Sequence, residues 1–379
     1  MTQPRKRRVA ILFGGKSGEH EVSLISARSV MAALDKDKYD IYPIGITKEG
    51  RWITSGDPMA LLCGEGDHPL GVLEEGEEKA TPGTALERAP GRDLVPGTSR
   101  GRFPDVDVVL PILHGTFGED GTVQGLLELA DLPYVGAGVL GSALGMDKVA
   151  QKHILRANGL PVVDFVPILR SRWQREPEAV IAEVERYLKY PVFVKPANLG
   201  SSVGITKAHH REELRQGLDL AARFDRRLLV EAGINAREIE CAVLGNDAPI
   251  ASVPGEIIPC NEFYDYRAKY LDEGSELLIP APLSEETSAR VRALAIQAFL
   301  AIDCAGMARV DFFLCKETGR LYINELNTIP GFTPISMYPK LWEASGIPYA
   351  ELLDRLIELA IERHEDKHRS KTSYDFDQP

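Results

Sequence analysis

Two rhythms of apolar residues alternate along the chain. After the basic start "PRKRR", the run "VAILF" at Val9 to Phe13 has no polar face and reads as a buried strand. A glycine turn follows, then "EHEVSLISARSVMAAL", whose apolar residues recur at helical spacing. "YDIYPIGIT", "VDVVLPIL" and "LPYVG" read as further strands, with "GTVQGLLELA" as a helix among them. Strand and helix alternate, so this part of the chain predicts a parallel α/β domain over residues 1–146. From about Ser55 to Pro104 the rhythm collapses into Gly, Pro and Glu, and residues 55–104 are expected to be a mobile surface insertion.

"MDKVAQKHILRANGLPV" opens a second unit, residues 147–234, with a helix closed by Gly159 and Pro161. "FVPIL", "YPVFVKPA" and "GITKA" are its strand candidates, Glu178 to Leu188 its helix, and "RLLVEAGI" a strand leading out of it. A third unit, residues 235–379, holds "REIECAVLG", "APIASVPGEII", a helix at about Glu285 to Ala301 and a hairpin, "RVDFFLCKETGRLYINELN". It ends on the amphipathic helix "YAELLDRLIELAIERH" and a polar tail expected to fray.

With 379 residues the chain is too long for one ordinary core, and 44% hydrophobic with 26% charged residues is the balance of a soluble globular protein. A formal net charge of -12 excludes a general nucleic-acid binder, since phosphate backbones select basic surfaces. Cys63, Cys241, Cys260, Cys304 and Cys315 show no CxxC spacing and read as reduced thiols of a cytoplasmic protein. No stretch is long and apolar enough to span a bilayer, and "VAILF" is too short for a signal peptide, so no membrane partner is expected.

Two glycine motifs mislead. "AILFGGKS" fits a loose phosphate-loop pattern, but Ile11 to Phe13 are the strand itself and leave too few free N–H groups to surround phosphates. "VGAGVLGSALG" spells G-x-G-x-x-G at Gly136, Gly138 and Gly141, but no acid near position 156 stands ready for a ribose. A close-packed turn is the better reading, and a nicotinamide enzyme is set aside.

The hairpin carries the chemistry. Period-2 alternation puts Arg309 and Asp311 on one face of its first strand and Glu325 and Asn327 on one face of its second, with Lys316 to Gly319 as the turn. Symmetry about Thr318 sets Asp311 opposite Glu325 and Arg309 opposite Asn327. Two opposed acids repel, so something positive belongs between them. An all-oxygen set suits a hard cation such as Mg2+, usually completed by substrate phosphates. A protein cation fixed in that gap would remove the need for a metal; the bland reading has Arg309 and local lysines satisfying both acids. "VFVKPANLGSSVGI" adds Lys195 at a strand end, followed by Gly200, Ser201, Ser202 and Gly204, small residues that let N–H groups approach an anion.

"HGTFGEDGTVQG" at His114 to Gly125 and "GMARVDFFLCKETGRLYINELNTIPG" at Gly306 to Gly331 resemble the two signature motifs of the D-alanine–D-alanine ligases, members of the ATP-grasp superfamily. "GGKSGEHEVSLISA", "SALGMDKVAQK", "VKPANLGSSVG" and "FYDYRAKY" resemble that family too, in the right order, over nearly the whole chain outside the insertion. The resemblance implies an α/β, three-domain ATP-grasp architecture, with an N-terminal parallel-sheet domain and two α+β domains clamping ATP.

It also implies the chemistry and its residues. One D-alanine carboxylate attacks the γ-phosphate of ATP, and a second D-alanine's amine displaces phosphate from the acyl-phosphate, for peptidoglycan precursor synthesis. Lys148, Lys195 and Lys269 are expected on the phosphates, Glu231 and Glu238 at adenine and ribose, and Asp311, Glu325 and Asn327 on two Mg2+ ions, with Mn2+ as a substitute and K+ as an activator in some relatives. Glu21 is expected to pair with the first substrate's ammonium, in a triad with Ser201 and Tyr270, and His114 to lie near its carboxylate. Arg309 would stabilise the oxyanion, and Gly331 and Ser336 would receive the second substrate. "NEFYDYRAKYLDEG", with Phe263, Tyr264, Tyr266 and Tyr270, reads as a lid over ATP. A homodimer is the expected assembly. D-alanine–D-lactate and D-alanine–D-serine ligases of the same fold, and a non-catalytic nucleotide-binding regulator, remain the alternatives.

Overall fold

The computed structural model describes residues 5–63, 105–258 and 276–371. In the first sheet, β1 (Arg7–Gly14) is central, with Val9 to Phe13 fully buried. It pairs in parallel with β2 (Tyr39–Ile46) and β4 (Val108–Ile112), while β3 (Trp52–Ile53) adds antiparallel to β2. α1 (His20–Ala33) and α3 (Thr122–Leu129) lie between strands in sequence, as the alternation requires. Ile11 to Phe13 are indeed in the strand, so no phosphate cradle forms there.

Of the stretch expected as an insertion, residues 64–104 lie outside the described residues, and its start holds α2 (Pro58–Cys63), begun by Asp57, whose Oδ1 accepts from the Ala60 N–H at 3.0 Å, with proline at the first helical position. One expectation is corrected here. "LPYVG" makes only one isolated parallel bridge, Val109 to Tyr134, because the chain leaves the sheet at Gly136, φ +100°. It then enters α4 (Val139–Met146) and α5 (Lys148–Ala157), which Asp147 caps by accepting from the Ala150 N–H at 2.9 Å.

The second sheet is antiparallel, in the order β5 (Phe165–Leu169), β8 (Arg227–Ala232), β6 (Val192–Pro196), β7 (Thr206–Ala208). α6 (Arg170–Arg175), α7 (Pro177–Tyr187) and α8 (Arg211–Phe224) accompany it. β9 (Ala236–Gly245) and β13 (Gly306–Cys315) are the long inner strands of the third sheet. Around them stand β10 (Ile250–Ala251), β11 (Gly255–Ile258), β12 (Glu276–Leu278) and β14 (Leu321–Asn327), with α9 (Glu285–Ala301) packed against the sheet. The chain closes with α10 (Met337–Ala344) and α11 (Tyr349–His368), which runs four residues beyond the apolar pattern. Polar "EDKH" extends the helix because an exposed last turn needs no buried face.

Asp311 pairs with Glu325 and Arg309 with Asn327, the register expected from the sequence. The alternation is nonetheless broken. Phe312 pairs with Ile323, so Asn324 is an extra residue in a β-bulge. Ile323 and Leu326 therefore both enter the core while Glu325 and Asn327 stay on the opposite face.

One apolar core joins β1, β4 and α1 to α10 and α11, so the first and last parts of the chain share an interior. Gly141 sits at another close approach: a Cβ there would lie 2.5 Å from the Asp303 carbonyl oxygen, backbone that cannot swing aside. Close packing, not a dinucleotide, explains this glycine of the fingerprint. Gly125, inside α3, faces open space. Gly141→Ala is expected to cost about 1–3 kcal/mol and lower the melting temperature. Gly125→Ala should gain about 0.4–1 kcal/mol and raise it, by thermal unfolding monitored with circular dichroism.

Candidate active site

Side chains from all three sheets meet at one cavity of about 930 Å3, within the range of small-molecule and cofactor sites. The loop after β1 brings Glu19, the end of β4 brings His114, and the following loop brings Glu119. Lys148 enters from the first turn of α5, Lys195 and Glu231 from β6 and β8, Ser201 from the loop after β6. Glu238, Arg309, Glu325 and Asn327 come from the third sheet, and Gly331 and Ser336 from the loop before α10.

Glu21 is not among them. It lies on the outer stripe of α1 with Ile25 and Arg28, and its carboxylate pairs with Lys48 at 2.7 Å. The contact with Ser201 expected of Glu21 is made by Glu19, whose Oε1 accepts from the Ser201 hydroxyl. A Cβ on Gly200 or Gly115 would approach Glu19 Oε2 to 2.7 or 2.8 Å, so two glycines let three loops close on one carboxylate. Ser201 and Ser202 have φ of 51° and 58°, a left-handed pair that non-glycine residues adopt only where surroundings enforce it. The helical period itself would have rejected Glu21, since i, i+4 and i+7 from it face outward.

Glu119 carries no periodicity signal, yet it is a principal feature of the site. Its Oε1 accepts from the Gly115 N–H at 2.8 Å. Burial, then the neighbouring Glu19 carboxylate, push its carboxyl up to about 8. His114 is buried with Nδ1 3.1 Å from the Ile329 carbonyl oxygen and Nε2 3.4 Å from Ser26 Oγ. Nδ1 therefore donates to the carbonyl, and burial lowers the imidazole's pKa against the pull of Glu19, keeping it neutral.

A second buried group lies below Lys195. Glu231 is 2% exposed, with Lys195 Nζ at 2.5 Å from one oxygen and Lys152 Nζ at 2.8 Å from the other. Burial opposes its ionisation, but the two ammonium groups prevail and hold it at about 2. Burial likewise opposes the Lys195 charge, and Glu231 outweighs it, so the Lys195 pKa stands above its ordinary value. Lys152 Nζ also donates to the Asn324 carbonyl at 3.1 Å, where the bulge interrupts the ladder. Gln151, one residue earlier, bonds both backbone groups of Leu326, donating to its oxygen at 3.3 Å and accepting from its nitrogen at 3.1 Å. α5 is thereby stapled to β14.

The repulsion between the hairpin acids is eased in part by the protein's own cations, Arg309 and Lys148, as the bland reading of the hairpin has it. Arg309 forks onto Asp311, Nε and Nη2 each at 2.7 Å, and Nε is 3.0 Å from Glu240. Lys148 Nζ stands 3.5 Å from Glu325 and donates to the Leu199 carbonyl at 2.7 Å. The Asn327 amide nitrogen donates to Asp311 at 3.0 Å. A carboxylate offers about four lone-pair directions, so the three donors leave Asp311 one to give. Beside it lies a recess of about 40 Å3 lined by Ile239, Phe312 and Phe313 and by the oxygen-bearing Glu238, Glu240, Asp311, Glu325 and Asn324, whose buried Oδ1 has no hydrogen-bond partner, while Asn327 faces the larger cavity. This donor set, all oxygen and mostly carboxylate, fits a hard dication. Lys269, Tyr270 and the rest of the expected lid lie outside the described residues.

The D-ala D-ala ligase N-terminus family model matches residues 8–137 and the C-terminus model residues 154–358. A protein of Ruminiclostridium cellulolyticum named D-alanine–D-alanine ligase is 53% identical, covering 97% of this chain and 99% of its own. One of that name from Thermoanaerobacter sp. is 56% identical, covering 96% and 99%. The solved D-alanine–D-alanine ligase of Coxiella burnetii superposes with a TM-score of 0.79 at 42% identity, over 97% of each chain. The VanG D-Ala:D-Ser ligase of Enterococcus faecalis gives the same TM-score at 36% identity, over 94% of this chain and all of its own.

The raised Glu119 carboxyl fixes a sign. Its folded-state pKa exceeds the unfolded value, so it contributes stability below the unfolded pKa, and that stability is lost as pH rises toward about 8. Glu119→Gln should therefore stabilise the protein more at pH 9 than at pH 5, measured as the difference in melting temperature from the parent at each pH.

Proposed function

The chain belongs to the D-alanine–D-alanine ligase family, and from that premise we propose how its residues divide the ATP-driven joining of two D-alanines. The enzyme forms the peptide bond of D-alanyl-D-alanine with release of ADP and phosphate, a step toward peptidoglycan. The observation that carries the assignment of roles is the convergence of Glu19, His114, Lys148, Lys195, Arg309 and Glu325 on one cavity, with Asp311 in the recess beside it.

Glu19, oriented by Ser201, receives the first D-alanine's ammonium. Neutral His114 and protonated Glu119 present no negative charge to that substrate's carboxylate, leaving it to attack the γ-phosphate. Lys148 and Lys195 neutralise the triphosphate, and Glu231, with both oxygens on lysines, positions Lys195 rather than reading adenine directly. Glu238 is the acceptor for ribose. Asp311, Glu325 and Asn327 would hold Mg2+, which when bound neutralises charge on the phosphates. When the second D-alanine's amine adds to the acyl-phosphate carbon, Arg309 stabilises the oxyanion and phosphate departs. Gly331 and Ser336 receive the second carboxylate; Ser336 Oγ lies 3.0 Å from the Thr333 nitrogen, which donates to it.

We also propose units of residues 1–146, 147–234 and 235–379, a homodimeric, cytoplasmic enzyme and activation by K+, on family resemblance. No helix among the described residues is long and apolar enough to cross a membrane.

A coupled assay should show ADP release that requires both D-alanine and Mg2+, with little turnover when D-lactate or D-serine is the second substrate. In that assay Glu19→Gln should lower kcat/KM by about 10²-fold or more, the loss of a charge-assisted contact, and Glu21→Gln should leave it within about twofold. A loss of that size on Glu21→Gln with none on Glu19→Gln would return the ammonium site to Glu21. Arg309→Ala should lower kcat by about 10²–10³-fold while ATP binding, followed by calorimetry, persists.

A further inference from the structure

We propose that Asp131, His364 and His368 form a site for a transition-metal dication of the zinc class, joining the C-terminal helix to the turn after α3. The site is remote in role from the catalytic cavity, which none of the three residues lines.

His364 and His368 stand one turn apart on α11, with ring centroids 4.3 Å apart. Asp131, held at φ 55°, sets its Oδ1 2.9 Å from His368 Nε2 and 3.8 Å from His364 Nε2. The three donor atoms all lie within 4.8 Å of one another. Tetrahedral donors about 2.0–2.1 Å from zinc stand about 3.4 Å apart, so changes in separation of at most about 1.4 Å would complete three positions and leave a fourth for water.

The tautomer is the second observation. His368 Nδ1 is 2.8 Å from the His364 carbonyl oxygen and donates to it, the outer hydrogen bond typical of metal-ligating imidazoles. With Nδ1 so engaged, neutral Nε2 presents a lone pair, not a proton, toward Asp131. Their approach at 2.9 Å then calls for a positive species: a second proton on the ring, or a metal ion between the groups. The nearby cations are directed elsewhere: Lys367 pairs with Glu128, and Arg363 lies over the Tyr134 ring with Glu128 at 4.0 Å. Two imidazoles and one carboxylate select a borderline ion over Mg2+. Solvent can deliver it, since His368 is half exposed and Asp131 more so.

The test uses the full chain, stripped with chelator and returned to buffer containing millimolar Mg2+. Zinc sulfate is titrated by calorimetry, and the melting temperature is read with and without zinc. The wild type should bind zinc and melt higher with it. His364→Ala/His368→Ala should bind at least about tenfold more weakly and lose the zinc-dependent rise. His368→Lys restores a cation beside Asp131 without a ligand, so it should also lose the response. Zinc behaviour in either variant equal to wild type, or no zinc-dependent shift in the wild type, would overturn the proposal and leave a proton-bridged ion pair.

Discussion

Carboxylates gathered at one cavity repel, and the structure is organised around their compensation. Glu19, Glu119, Glu231, Glu238, Glu240, Asp311 and Glu325 all border the cavity or its recess. Removing such charges from water is costly unless each finds a partner or a proton. Three solutions coexist: Glu231 lies between two lysines, Asp311 and Glu240 share Arg309, and Glu119 keeps its proton. The cations that solve the folding problem are also those suited to a triphosphate and an oxyanion. On the proposed division of roles, stability and catalysis draw on the same side chains, so removing one cation leaves a buried acid uncompensated as well as a substrate unheld.

Much of the fold was legible because burial writes a period into the chain. β1, β5, β8, α7 and α9 lie where apolar rhythm and capping residues put them. α8, α10 and the short α2 gave no reading, although Asp57 and Pro58 carry a usable start signal for α2. "LPYVG" looked like a strand because it is apolar and buried, but burial alone does not supply a hydrogen-bonding neighbour along its length.

The site was legible to the resolution of its motifs. In "GEHE" two acids two residues apart compete for one role, and only the outward stripe of α1 separates them. Glu119 escaped because its importance lies in proximity to Glu19, a contact across 100 residues that no local pattern encodes. Lys152 escaped for a related reason: an isolated lysine on a helix reads as surface, and only the fold sets a carboxylate beneath it. The pairing of Asp311 with Glu325 was readable from hairpin symmetry, and Arg309 beside Asp311 from the period-2 alternation, whereas the share of Arg309 taken by Glu240 depends on the neighbouring strand β9.

The extra residue at Asn324 means that β14 keeps two phases at once: Leu321 and Ile323 follow one count, Leu326 the next. Superimposing such strands by their oily positions near the turn would misplace the acids by one. The hairpin is therefore best matched to its kin from the open end inward, with Asn327 as the anchor. Shortening it by that one position would leave every remaining rung intact while depriving Lys152 of a carbonyl.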